Sequence, residues 1–238
     1  MLLFYVRHGD PTYVPDALTP LGELQAQAIK YRLGVHGLDQ IYASGSTRAI
    51  QTAQPTANML KKEITILDWC RESYVWEELT LIGEDGKRTW LFAHQPTREL
   101  FVQDEIRALG KKWYNHPAFE NPSYQNGMER IQREADAFLL SLGYRHLPDK
   151  NIYQAERPNN DRIALFAHQG FGLAFLSCIM DIPYPEFATH FDMGHSGMSV
   201  IEFDNQEGTV IPRMLQLSND SHIYKEGLPL KYQNRIYL

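Results

Sequence analysis

Cysteine is nearly absent: Cys70 and Cys178 are the only two in 238 residues. Two thiols exclude a disulfide framework and a thiolate metal set, and reduced core positions are expected for both. No apolar stretch approaches the length needed to cross a bilayer. The N-terminus shows no basic region followed by a long apolar segment, so a cytoplasmic protein with no membrane partner is expected. Positive charge is also in short supply, with 23 Lys+Arg against 29 Asp+Glu and a formal net charge of −6. General nucleic-acid binding needs a basic surface, so no nucleic-acid partner is expected. A phosphate ligand stays compatible with that charge, because a local cationic pocket is enough to hold one. What remains, 43% hydrophobic and 22% charged, is ordinary globular composition, and the length suits one domain carrying an insertion.

The apolar run Leu2 to Val6 reads as a short buried strand. It delivers Arg7-His8-Gly9-Asp10 to the strand's end, where open α/β sheets place their ligand sites. An imidazole there can act as a nucleophile, and a guanidinium beside it can hold a phosphate by a bidentate fork. Alone, the tripeptide reads equally as a core histidine beside a surface arginine. Leu18-Thr19-Pro20-Leu21-Gly22 follows, with Thr19 at a helix N-cap and Pro20 at the first helical position. Ile41-Tyr42-Ala43 is a second strand, and Ser44 to Ala53 turns into a second helix with Arg48 in its first turn. Helix N-termini and arginines both favour an anion. Much later, Arg162 to Ala167 is another strand, ending in His168-Gln169-Gly170.

In this order and spacing, Arg7-His8-Gly9, the Leu18 to Gly22 helix start, the segment around Arg48 and the later His168 resemble the histidine phosphatase superfamily, in its phosphoglycerate-mutase-like branch. The resemblance covers the first third of the chain and reappears between residues 162 and 203. It implies an α/β fold: a mostly parallel central sheet flanked by helices, with a largely helical cap over the active-site edge. Residues 1–67 and 162–238 would form the catalytic core and 68–161 the cap. The alternation of short strands and helices in the first 67 residues independently suggests such a sheet. All four tryptophans (Trp69, Trp76, Trp90, Trp113) fall in the insertion. They read first as its core, with a substrate platform as the second reading. Helices are expected from Arg98 to about Tyr114 and from about Gly127 to Leu142. A polar, turn-rich stretch is expected from Pro148 to Asn160, and a strand pair from Met198 to Phe203 with Val210 to Leu217.

The resemblance also implies catalytic roles. His8 would carry a transient phosphohistidine, Arg7 and Arg48 would clamp the phosphoryl oxygens, and His168 would be a third donor. No metal and no cofactor would be needed, and the substrate would be a small phosphomonoester. Gly9 lets the chain turn beside the phosphate. Thr12 and Thr19 are candidate phosphate donors, with helix capping as the competing role for Thr19. His195, in the loop Gly194-His195-Ser196, is a candidate substrate contact, with a plain surface-loop histidine as the alternative. The family places a glutamate general acid after the third strand, where Glu72 matches best and Glu77 and Glu78 are alternates. Such an acid needs its pKa raised by desolvation. Asp10-Pro11-Thr12-Tyr13 stands where mutases of the branch resemble one another through a Glu and a Trp-Asn pair, so hydrolysis is preferred. A phosphoglycerate-type mutase and a non-catalytic phosphate-binding regulatory module are the alternatives. A homo-oligomer stays open, and the 218–238 tail is read as wrapping the body or meeting a second subunit.

Overall fold

The computed structural model describes residues 1–230. The chain opens with β1 (Leu2–Arg7), the hairpin β2 (Pro11–Tyr13) and β3 (Asp16–Leu18), and helix α1 (Pro20–Gly34). Thr19 caps α1 by accepting the Gly22 N–H, and Pro20 occupies the first turn, as the sequence predicts. Then come β4 (Gln40–Ser44), α2 (Thr47–Leu60) and β5 (Ile64–Leu67). Residues 68–161 contribute α3 (Glu72–Glu78), a hairpin of β6 (Thr80–Ile82) and β7 (Arg88–Trp90), and α4 (Gln95–Phe101). They continue with α5 (Asp104–Leu109), α6 (Pro122–Ser141), β8 (Tyr144–Leu147) and β9 (Ile152–Ala155). The chain returns through β10 (Arg162–Ala167), α7 (Gln169–Ile179), α8 (Tyr184–His190) and β11 (Met198–Glu202). It closes with β12 (Gly208–Val210), β13 (Arg213–Asn219) and α9 (Ser221–Lys225).

The central sheet has strand order β13-β11-β1-β10-β4-β5. The β1–β10, β10–β4 and β4–β5 pairings are parallel, and only β11 runs against its neighbours. Side-chain alternation divides the core in two. Val6, Ala164 and Phe166 pack with Ile29 and Leu33 of α1 and Ala53 and Ala57 of α2. Leu3, Tyr5, Ile163 and Leu165 face the other way, toward Phe171 and Phe175 of α7 and Ile131 and Phe138 of α6. Burial on both faces explains why β1 and β10 read as continuous apolar runs. The larger core is shared between residues 68–161 and the rest of the chain, with Phe101 and Trp113 packed on Tyr184 and with Leu3 and Tyr5 in the same cluster. No helix among the described residues is long and apolar enough to cross a membrane.

Four local expectations are corrected. The helix expected from Arg98 to Tyr114 is broken into α4, α5 and a 3-10 turn over Gly110–Asn115. Gly110 has φ 55°, a left-handed conformation that ends α5. The helix expected from Gly127 starts at Pro122, because Asn121 accepts the Ser123 N–H at 3.0 Å and Pro122 fits the first turn. The polar stretch after Pro148 hides β9, which pairs with β8 and β12. The strand partner of β11 therefore begins at Arg213, because Gly208 to Val210 is already paired with β9. In the tail, α9 packs His222 and Ile223 inward, while Tyr232 and Tyr237 lie outside the described residues.

Candidate active site

Three neighbouring parallel strands end at the same edge of the sheet. There β1 delivers Arg7 and His8, β10 delivers His168, and β4 delivers Ser44. Such carboxyl ends are where open α/β sheets bind ligands. The His8 Nδ1–H donates to the Gly9 carbonyl at 2.8 Å, which leaves Nε2 as the unprotonated nitrogen. Burial, reinforced by His168 and Arg7, holds the His8 pKa well below its ordinary value. The ring is therefore neutral and its lone pair available at neutral pH.

Arg48 sits in the first turn of α2 and is 8% exposed. It donates to Asp16 Oδ1 at 2.6 Å and to His168 Nδ1 at 3.2 Å. Asp16, reaching across from β3, also accepts the Thr47 N–H at 2.8 Å. It thus caps the helix that Ser46 leaves without a side-chain cap. The His168 Nε2–H donates to Ser44 Oγ at 2.8 Å, so this imidazole is neutral with Nδ1 as acceptor. Burial first, then Arg48 and Arg7, push its pKa well down. The Tyr5 hydroxyl pins the backbone of the same residue by donating to the His168 carbonyl and accepting its N–H. The rings of His8 and His168 lie 5.2 Å apart.

Arg7 is equally buried and donates to the Met193 carbonyl and, at 2.8 Å, to His195 Nε2. His195 Nδ1 lies 3.5 Å from Asp10 Oδ1, and its ring is 5.6 Å from that of His8. The buried Nε–H of Arg7 and that of Arg48 each have no hydrogen-bond partner among the described residues. Two guanidiniums beside a neutral imidazole, each with a donor to spare, favour an anion at this point.

The loop carrying His8 is seated directly on α1. A Cβ at Gly9 would lie 2.7 Å from the Gly22 carbonyl oxygen, and one at Gly22 only 2.2 Å from the Asp10 carbonyl oxygen. Gly9 and Gly22 are therefore required by close backbone approach. The Gly9 N–H donates to Thr52 Oγ1 at 3.0 Å, and the Asp10 N–H to Gln25 Oε1 at 2.8 Å. Thr12 donates to the Pro15 carbonyl within the hairpin, and Thr19 donates to Asp10 Oδ2.

Of the three candidate acids, only Glu72 reaches this pocket. Its two oxygens accept the N–H groups of Gly170 and Phe171 at 2.9 Å each, at the first turn of α7. Those bonds and the two arginines favour the carboxylate, but burial outweighs them and raises its pKa. Glu77 pairs instead with Arg88, and Glu78 holds Arg130 through two contacts of 2.6 Å.

Arg7, His8, Arg48 and Glu72 line a cleft of about 460 Å³, closed by Tyr13, Ser73, Trp76, Trp90 and Gln169. Trp76 and Trp90 meet edge to face at 4.8 Å. Trp113, by contrast, is fully buried core, and Trp69 packs on Phe171. Sequence reasoning does not single out Tyr13, Ser73, Asp16 or Ser44. Asp16 and Ser44 carry no motif of their own, and only their places on the hairpin and at a strand end mark them. His94 hydrogen-bonds Thr97 at the start of α4, away from the cleft.

A sequence profile of the histidine phosphatase superfamily (branch 1) matches residues 3–213. The chain belongs to this superfamily, and with it to the phosphatase enzymes. Among curated relatives, a putative phosphoserine phosphatase 2 of Hydrogenobacter thermophilus is 24% identical over 220 residues, covering 88% of this chain and 93% of the relative. Among solved structures, a phosphoserine phosphatase of Entamoeba histolytica in complex with 3-phosphoglyceric acid superposes with TM-score 0.58 at 18% identity, covering 93% of this chain and 98% of that one. A mycobacterial glucosyl-3-phosphoglycerate phosphatase in complex with inorganic phosphate gives TM-score 0.59 at 18% identity, with coverage of 93% and 98%. At that identity the structural likeness establishes the shared fold.

Proposed function

We propose that this protein hydrolyses a small phosphomonoester in two steps through a phosphohistidine at His8, without a metal ion. The reading rests on one observation: the unprotonated Nε2 of a neutral, buried His8 lies among Arg7, Arg48 and His168, beside a carboxyl group of raised pKa. In the first step Nε2 attacks phosphorus, the P–N bond forms and the P–O bond to the alcohol breaks. Glu72 gives its proton to the departing alkoxide. In the second step a water attacks phosphorus, Glu72 takes its proton, and the P–N bond breaks to release phosphate. Arg7 and Arg48 hold the equatorial oxygens throughout, which is most of what phosphoryl transfer needs. His168 gives its one N–H to Ser44 and accepts from Arg48 at Nδ1, so it orients Arg48 and is not the third donor the sequence suggests. The hydroxyls of Thr12 and Thr19 are spent on the loop's own backbone and on Asp10. They are assigned to shaping that loop, and His195 to steadying Arg7. The phosphatase names of the relatives support hydrolysis over mutase chemistry. The buried, unbridged Cys70 and Cys178 suit a reducing cytoplasm.

The test is p-nitrophenyl phosphate hydrolysis in excess chelator, with the native protein and His8→Ala side by side. Chelator-resistant turnover that vanishes in the variant is the expected result, accompanied by an acid-labile phosphoenzyme in the native protein alone. Equal activity of the two proteins would remove His8 from the mechanism.

A further inference from the structure

Beyond the phosphate site the cleft is lined by Tyr13, Trp76 and Trp90, with Ser73 and Gln169. Among the described residues its only lining cations are Arg7 and Arg48, both of which the phosphatase reading assigns to the phosphoryl group. Arg71, Arg88 and Arg130 are not among the residues lining the cleft, and each has an acid beside it: Asp68, Glu77 and Glu78 respectively. Arg98 donates to the Thr189 carbonyl and, together with Asp192 and Asp220, lines a neighbouring hollow that shares Arg7 with the cleft. A leaving group bearing its own carboxylate would thus find, among the described lining residues, no cation beyond the two assigned to the phosphoryl group, an arrangement that costs affinity and specificity.

The opposite chemistry is well provided for. The Trp76 and Trp90 rings form one edge-to-face unit, and Trp90 also stacks on Phe92 at 5.4 Å. Trp90 lies so close to Gly170 that an added Cβ would come within 2.6 Å of the indole. Glu72 is anchored on the N–H groups of Gly170 and Phe171. The proton donor and the aromatic wall are therefore fixed to the same helical turn. Across from them, Tyr13 lies 5.3 Å from the Arg48 guanidinium at the cleft's mouth and is 66% exposed.

We propose that the alcohol part of the substrate is uncharged and carries an aromatic ring, held between Tyr13 and the Trp76–Trp90 pair while its oxygen meets Glu72. This proposal rests on the phosphatase reading above and narrows its substrate class. It separates the chain from relatives whose names point to phosphoserine or a phosphoglycerate derivative.

The experiment compares kcat/KM for benzyl phosphate, ethyl phosphate and O-phosphoserine, all esters of primary alcohols, with 3-phosphoglycerate as a further acidic probe. Benzyl phosphate is expected to exceed each of the others by roughly tenfold or more. Trp76→Ala should lower the benzyl value by roughly tenfold while inhibition by inorganic phosphate stays within about twofold, and Trp76→Phe should recover most of the loss. Turnover of phosphoserine or 3-phosphoglycerate that equals or exceeds that of benzyl phosphate, still abolished by His8→Ala, would overturn the aromatic leaving group and leave the phosphatase reading standing. Hydrolysis of none of these esters by a native protein that still binds inorganic phosphate would overturn both.

Discussion

Glu72 is held by two backbone N–H groups yet has a raised pKa, because burial outweighs the hydrogen bonds. A general acid acts only when protonated, so the activity that depends on it is present below that raised pKa and lost as pH rises through it. Glu72→Gln should remove this alkaline limb. It should also cut kcat for benzyl phosphate by about 10²–10⁴, with a far smaller loss for p-nitrophenyl phosphate, whose leaving group needs no proton. Rates for the two esters measured across pH check both statements. His195 belongs to the same scale. Its Nε2 accepts from Arg7 only while neutral, and its position ties that arginine to Asp10. His195→Ala should lower kcat/KM by roughly tenfold to a hundredfold, with His195→Gln, which restores an acceptor, recovering part of it. No recovery in Gln would point to lost packing in place of a lost acceptor.

Helix starts and strand ends account for what the sequence revealed. Thr19-Pro20 announces α1 by capping chemistry, and Asn121-Pro122 announces α6 by the same rule, although the apolar pattern alone suggests a later start. Strand β9 is hidden because its short Ile152–Ala155 span sits in a polar tract, and one of its partners, β12, lies far along the chain. The four residues Arg7, His8, Arg48 and His168 were legible because each stands at an element terminus beside a motif. Glu72 is favoured over Glu77 and Glu78 by its place after the third strand, while the contact that brings it into the cleft, α3 docked against the first turn of α7, carries no local sequence signal. The same docking scale governs Gly22. A methyl group there would meet backbone, not a flexible side chain, so Gly22→Ala should destabilise by about 1–3 kcal/mol and displace the His8 loop. Denaturant unfolding with parallel activity assays reads both effects; unchanged stability and rate would refute the contact.

At the scale of the whole molecule, stability should be bounded by histidines on both sides of neutrality. His146 is pinned between Asp136 at 2.9 Å and Asp181 at 3.2 Å, with Lys111 also on Asp181, and its pKa is raised to about 9. Burial opposes that shift, and the two carboxylates overcome it. The folded state binds this proton more tightly than the unfolded chain. Its contribution is thus fully present below about pH 6.5 and is lost as pH rises toward 9. His222, buried against Ser196, has its pKa lowered to about 4, so its contribution is lost as pH falls from about 6.5 through that value. Thermal melts from pH 6.5 to 9 should decline in the native protein and flatten in His146→Gln. An identical slope in both would remove His146 from the account.

One consequence of the Asp16 contact concerns how the product leaves. In the proposed mechanism Arg48 would meet the phosphoryl group with part of its charge already answered by Asp16 at 2.6 Å. Such a guanidinium grips a free phosphate dianion less firmly than an unaccompanied one. Binding the ground state and the product less tightly leaves more of the arginine's pull to be expressed as charge spreads during transfer. On the proposed mechanism, the carboxylate that caps α2 should therefore weaken inhibition by the phosphate released.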